Sequence, residues 1–216
     1  LAAPRAMAVK REVRSDDDFK KAIEAINQSS DTENEIVLME NITLGGNYIN
    51  YILTNDKTTT IKTTTIKGKE GEDRKISING SGAGITVTGE KTTLNLGGYD
   101  KKLTIDGDTT AAFIVVSGGA TANMYENVTL QNRQSTINAY VLVTGSDPVT
   151  GSKSVFNMKG GVIEGGSRAV IAQSGATFNM SGGEIRNRKD GSGNGGGVRV
   201  YGATFVMSGG TISGCT

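Results

Sequence analysis

Few residues in this chain of 216 could do chemistry, and histidine is not among them. Without it there is no Ser-His-Asp or Cys-His nucleophile, no histidine-held metal and no side chain that ordinarily titrates near neutrality. The single cysteine, Cys215, has no partner for an internal disulfide. What remains is acidic. Asp106, Asp108, Glu126, Glu164 and Glu184 fall on or beside one recurring apolar segment. Carboxylates paired across stacked strands could cleave glycosidic bonds. Carboxylates beside an Arg could bind Ca²⁺ and support a lyase-type proton abstraction. Yet the position after the apolar residue of that segment reads Asp106, Glu164, Arg186 and Ser213, a mixture that suits solvated turn charges. The glycine-rich run Asn187–Gly197 lacks the Gly-Lys-Ser/Thr ending and the following helix of a phosphate loop. No catalytic, cofactor-binding or metal-binding residue is assigned.

Recognition chemistry has better candidates. Thr93 and Asn95, Thr121 and Asn123, Val155 and Asn157, Thr177 and Asn179, and Thr204 and Val206 flank Leu94, Ala122, Phe156, Phe178 and Phe205. If the central apolar residues point inward, the flanking ones point out, about 7 Å apart along a strand and about 4.8 Å between strands. Such a plane could bind an extended glycan, or order water as an ice-binding surface does. The plainer alternative is that Thr suits strands and stacked Asn side chains bond to each other. The ligand-binding candidates are Thr93, Asn95, Thr121, Asn123, Asn157, Thr177 and Asn179.

The elements that must position these residues repeat. Gly175–Asn187, GATFNMSGGEIRN, returns at Gly202–Gly214 as GATFVMSGGTISG and more weakly at Ser154–Gly165 as SVFNMKGGVIEG. Each copy reads as strand, glycine turn, strand, with Gly182-Gly183 and Gly209-Gly210 supplying positive φ. Upstream, Val87, Val115, Val143, Ile171 and Val198 recur at intervals of 28, 28, 28 and 27 residues and are expected in one inward file. A second strand follows seven residues later, with Phe156 displaced by an insertion of six in Gly145–Ser152. Stepping back 28 from Leu94 puts Ile66 in the second-strand file, with Thr59 seven before it. A third strand centres on Ile76–Ile78, Leu103–Ile105, Val128–Leu130, Val162–Ile163, Ile185 and Ile212. Three short strands per repeat indicate a solenoid, because such a unit cannot bury its apolar face alone. On this reading Ile114, Val116, Leu142, Val170 and Ala172 face outward, and a subunit, domain or loop covers them, or they are scattered exposure. Further upstream, Thr58–Lys62 and Thr63–Lys67 repeat TTTIK, Lys75–Asn79 forms another strand, and Val9–Arg14 is a short first one.

Composition agrees. Hydrophobic residues make up 36% and aromatics 5%, Gly occurs 31 times and Pro twice, which suits short strands joined by tight turns. A net charge of +1 gives no nucleic-acid footprint, and no apolar run is long enough to span a membrane. Ser15 reads as a helix N-cap with Asp18 three residues on, and Phe19, Ala22, Ile23 and Ile26 share a helical face.

The GATFNMSGGEIRN type of repeat resembles the right-handed parallel β-helix repeats of secreted and surface-attached bacterial proteins, the pectate-lyase-like superfold. The resemblance covers roughly residues 35–216 and implies the hand of the coil and a helix plugging its first end. The chain lacks a pectate-lyase motif. The expected fold is all-β: a right-handed parallel β-helix with three strands per coil, about six coils and an N-terminal capping α-helix. Residues 1–14 are an N-terminal segment, 15–30 the capping helix and 31–216 the β-helix, together a single domain. Leu1–Ala8 resembles the end of a signal peptide. The last coil has no polar closing element, so more repeats or another chain are expected beyond it. The superfold hosts many activities. The expected function is non-catalytic: an extracellular module of a larger bacterial surface protein, for display, adhesion or binding of a polysaccharide or host-surface ligand. A polysaccharide lyase or glycoside hydrolase of the same superfold, and ice or crystalline-polysaccharide binding, are the alternatives. Inserted loops, at Asp147-Pro148 and Asn187–Gly197, are further places for function.

Overall fold

The structure is a computed structural model that describes residues 7–46, 51–56, 58–80, 82, 84–98, 101–109, 112–132, 139–186 and 196–215. The described residues form 21 strands and one helix. All strand pairs are parallel, and they build three sheets of eight, six and seven strands. The chain visits the sheets in a fixed order, so each coil contributes one strand to each. The first coil is Glu33–Leu38, Ile42–Gly46 and Tyr51–Leu53. Six full coils follow one another, with Val9–Val13 preceding them in the eight-stranded long sheet. Stacking gives each strand's N–H and C=O groups partners in the neighbouring coils, which is how so short a strand can be stable.

Parallel pairing lines up like residues. In the long sheet Leu94, Ala122, Phe156, Phe178 and Phe205 form one inward file, as the spacing predicts. The rings of Phe156, Phe178 and Phe205 stack with centroids 5.4 and 4.9 Å apart. Ile76, Ile105, Leu130, Ile163, Ile185 and Ile212 make the inward file of the seven-stranded sheet.

The six-stranded sheet corrects the expected file. Val116, not Val115, pairs with Val87, and the inward columns are Val87–Val116–Val143–Ala172–Val200 and Ile85–Ile114–Val141–Val170–Val198. The spacing is 29, 27, 29 and 28 residues, so Val115 and Ile171 point out and Val198 belongs to the second column. A one-residue slip exchanges the faces. Segments such as Ile114-Val115-Val116 are apolar on both faces, so their own pattern cannot reveal it. Ile114, Val116, Val170 and Ala172, expected to face outward, therefore point into the core, each 0% exposed, while Leu142 does face outward, beside half-buried Val115 and Ile171.

Two upstream positions also differ. Thr64 pairs with Leu94 and Ile66 with Leu96, an offset of 30 rather than 28. Thr58–Ile61 is not strand; the strand is Lys62–Gly68, and the coil's six-sheet strand is Ile85–Thr88. The glycine pairs divide their labour. Gly183 has φ +82, whereas Gly182 is needed because a Cβ there would lie 2.4 Å from the Lys159 carbonyl oxygen.

The helix Asp16–Gln28 closes the first end. Ser15 Oγ accepts from Asp18 N, and the Asp18 carboxylate accepts from Arg14 N at 3.0 Å, a reciprocal cap. Phe19, Ala22, Ile23 and Ile26 are buried, and the Phe19 ring meets Tyr51 edge-on at 5.3 Å. The Tyr51 hydroxyl donates to Asp16, and burial together with that carboxylate holds it above the usual phenol range. Asn27 donates to Ile52 O and accepts from Thr54 N, which pairs groups on the outermost strand of the six-stranded sheet. The helix has no basic residue in its last turn. Lys62, 1% exposed, supplies the charge from inside the coil: its Nζ donates to Ile26 O and Ser29 O, both at 2.8 Å.

Candidate functional site

The polar face lies on the outside of the long sheet. Two outward columns run along it: Glu33–Thr63–Thr93–Thr121–Val155–Thr177–Thr204 and Glu35–Thr65–Asn95–Asn123–Asn157–Asn179–Val206. The structure thus brings all seven candidate residues onto one surface. The asparagines form a ladder. Asn123 donates to Asn95, Asn157 to Asn123 and Asn179 to Asn157, each at 2.9 Å, and Asn95 donates to Thr65 Oγ1 at 3.4 Å. Each amide in the middle of the ladder spends one N–H and one lone pair on its neighbours, leaving the other N–H and lone pair for a ligand.

The face is not uniform. Toward the helix-capped end it sinks into a groove of about 790 Å³, within the size range of small-molecule sites. Thr93, Asn95 and Asn123 line it, together with Glu33, Glu35, Thr63, Thr65, Lys67, Gly97, Gly98 and Tyr125, and with Met7 and Ala8. Thr121, Asn157, Thr177 and Asn179 lie outside it, on the flat continuation. The Glu35 carboxylate pairs with Lys67 Nζ at 2.5 Å, and the Lys67 side chain is only 6% exposed.

A third outward column edges the sheet. Backbone hydrogen bonds carry it from Lys67 through Gly97, Tyr125 and Lys159 to Ser181. Lys159 Nζ lies over the Tyr125 ring, 4.9 Å from its centroid, and 3.4 Å from its hydroxyl.

Sequence reasoning missed Glu33, Glu35, Thr63, Thr65, Lys67 and Tyr125. The signal was there: the second TTTIK copy carries Thr63 and Thr65, but the assumed 28-residue step put it out of register with Thr93 and Asn95.

The acidic candidates go elsewhere. Asp106, on the seven-stranded sheet, accepts from Ser77 Oγ at 2.8 Å and pairs with Lys75 at 3.5 Å. Glu164 and Glu184 both bind Arg186 at 2.8 Å, and Glu164 above all raises the pKa of that guanidinium. Glu126 is exposed at a turn; Asp108 lies in the strand Leu103–Thr109 with its side chain outside the described residues. The Asp147 insertion folds back through an antiparallel bridge between Ser146 and Lys153. Backbone N–H groups of Thr150 and Val149 lower the Asp147 pKa, and hydroxyls of Thr150 and Ser152 lower that of Glu90, on which the loop rests. Of Asn187–Gly197, residues 187–195 lie outside the described residues, as do 1–6 of Leu1–Ala8.

Among the described residues, no helix is long and apolar enough to cross a membrane. Comparison with protein-family models, curated proteins and solved structures finds no match to this chain.

Proposed function

We propose that this parallel β-solenoid is a non-catalytic binding module of an extracellular bacterial surface protein, and that an extended polysaccharide lies in the groove of the long sheet. The observation that carries the reading is the coincidence of that groove with the Thr and Asn columns: Thr63, Thr65, Thr93, Asn95 and Asn123 all line it. A glycan needs donors and acceptors at regular intervals, and the ladder offers both at each rung. The repeat's likeness to the pectate-lyase-like superfold supports the extracellular setting. Val200, Tyr201, Val206 and Met207 are 43%, 72%, 48% and 44% exposed, an apolar patch that suits a contact surface.

The test is retention of the protein on cellulose, xylan, chitin and peptidoglycan. Thr63→Tyr with Thr93→Tyr fills the groove and abolishes retention, while Thr177→Tyr on the flat continuation leaves it intact. Retention by none of these polymers, or undiminished retention of the filled double variant, overturns the reading.

Glycoside hydrolysis is the second reading, favoured by one observation. Glu33 and Glu35 both line the groove, two residues or about 7 Å apart along a strand, and inverting hydrolases separate their carboxyl groups by about 6.5–9.5 Å. It ranks second because both acids rise from one strand, on one side of a ligand, and Glu35 is tied to Lys67. Release of reducing sugar that disappears in Glu33→Gln would put it first.

A further inference from the structure

Within the long sheet's edge column, one rung has no side chain. Lys67 stands below it and Tyr125 above, and between them Gly97 and Gly98 turn the corner with φ of +84° and +129°. The two glycines differ in what surrounds them. A Cβ on Gly97 would strike Val128 Cγ2 at 2.6 Å, so that position is closed by packing. A Cβ on Gly98 would find its nearest neighbour, Thr65 Cγ2, at 4.0 Å. Among the described residues the space over Gly98 is therefore an open notch, and the groove runs into it.

The walls of the notch are chemically distinct. Tyr125 sits one rung above, since its N–H bonds to Leu96 O, next to Gly97. Lys159, a further rung up, lies over the Tyr125 ring. The ring is thus engaged by a cation from the rung above, while the rung below it offers only glycine. Asn95 and Asn123 stand alongside, with Thr65 beneath them. The Glu35–Lys67 pair closes the far side, and its two charges offset each other. An apolar ring beside convergent amide donors and acceptors is the composition of a small-molecule subsite.

We infer that the notch above Gly98 seats one neutral hexopyranose unit of the polysaccharide, stacked on Tyr125 and hydrogen-bonded by Asn95 and Asn123. The inference rests on the groove reading and adds to it a position, an aromatic platform and a charge preference. A pyranose presents an apolar face of C–H groups and an equatorial rim of hydroxyls, which match the tyrosine ring and the amides respectively. A uronate in the notch would bring a negative charge beside Glu35, whose Lys67 partner is already engaged, while Lys159 sits on the Tyr125 ring two rungs above Gly97.

The experiment titrates the whole chain with cellohexaose, laminarihexaose and maltohexaose, and with oligogalacturonate as the anionic comparison. Calorimetry reads affinity, and near-ultraviolet difference spectra read tyrosine, the signal being free of tryptophan because the chain has none. At least one neutral glucan binds and perturbs the tyrosine spectrum. Tyr125→Ala weakens that binding about tenfold or more, whereas Tyr125→Phe, which keeps the ring, stays within about twofold. Lys75→Ala, on the seven-stranded sheet, leaves affinity unchanged, and circular dichroism confirms the fold of each variant. Neutral-glucan binding that survives Tyr125→Ala, or a missing spectral change, overturns the subsite and leaves the groove reading standing. Binding of oligogalacturonate alone overturns the neutral preference and the subsite with it. Binding of no oligosaccharide overturns both.

Discussion

The first coil and the last described coil are built from similar rungs and differ in what packs against them. At the first end, the helix lays Phe19, Ile23 and Ile26 over the coil, Asn27 pairs with the outermost strand, and Lys62 reaches up from inside to hold the helix's last carbonyls. At the other end, the strands Val198–Tyr201, Thr204–Met207 and Thr211–Ser213 carry a single charge, Arg199, and no proline. Exposed strand edges are ordinarily guarded by charges, prolines or bulges. Phe178 and Met180 are 0% exposed, while their counterparts one rung on, Phe205 and Met207, are half-buried and 44% exposed. The two repeats differ little, so burial here is conferred by the rung above and not by the repeat.

The sharpest way to break this comparison is in the phenylalanine stack. Phe178→Ala leaves a cavity between two rings and costs about 3–5 kcal/mol; Phe205→Ala, with one face already open, costs about 1 kcal/mol. Urea unfolding of both measures the gap, and equal losses would mean that the last coil is as well covered as the one before it. Lys62→Met comes next. It removes the charged hydrogen bonds to Ile26 O and the half-buried Ser29 O and lowers stability by about 1.5–3 kcal/mol, with the helical signal lost before the sheet signal on heating. A loss below about 0.5 kcal/mol would show that the cap is held by its apolar face alone.

Asn123→Ala has a smaller effect. It removes two ladder bonds from a residue 8% exposed, for about 1–2 kcal/mol, whereas Asn179→Ala removes one ladder bond and costs about half as much. Chemical denaturation distinguishes the two, and a reversed order would overturn the ladder as a source of stability. The slightest effect is that of acid on the helix start. The Arg14 backbone N–H, above all, holds the Asp18 carboxyl below its ordinary 3.8. A depressed carboxyl stabilises the fold fully above pH 3.8 and loses that contribution as pH falls through its lower folded value. Asp18→Asn therefore flattens the acid side of the stability profile slightly; a profile identical to that of the parent chain would exclude this cap as an acid-sensitive element.

Much of this architecture is legible in the order of residues. Strand, glycine turn and strand are written into GATFNMSGGEIRN, because alternation of Phe178 and Met180 with Thr177 and Asn179 assigns two faces unambiguously. The helix start is equally local, since Ser15 and Asp18 cap it within a few residues. The seven polar candidates fall on one surface for the same reason: their strands have one apolar and one polar side.

Tertiary structure decided what those local patterns leave degenerate. Val115, Leu142 and Ile171 are apolar on a sheet whose inner face is apolar too, so only the hydrogen-bonded register of stacked coils could say which way they point. The groove depends on a 30-residue step at Thr64 and Leu94, and on a glycine falling between Lys67 and Tyr125. Lys62, polar in sequence, is interior because a helix 36 residues earlier ends over it. Periodicity specifies a residue's side of its own strand, whereas its neighbours above and below are fixed by loop lengths that vary from coil to coil.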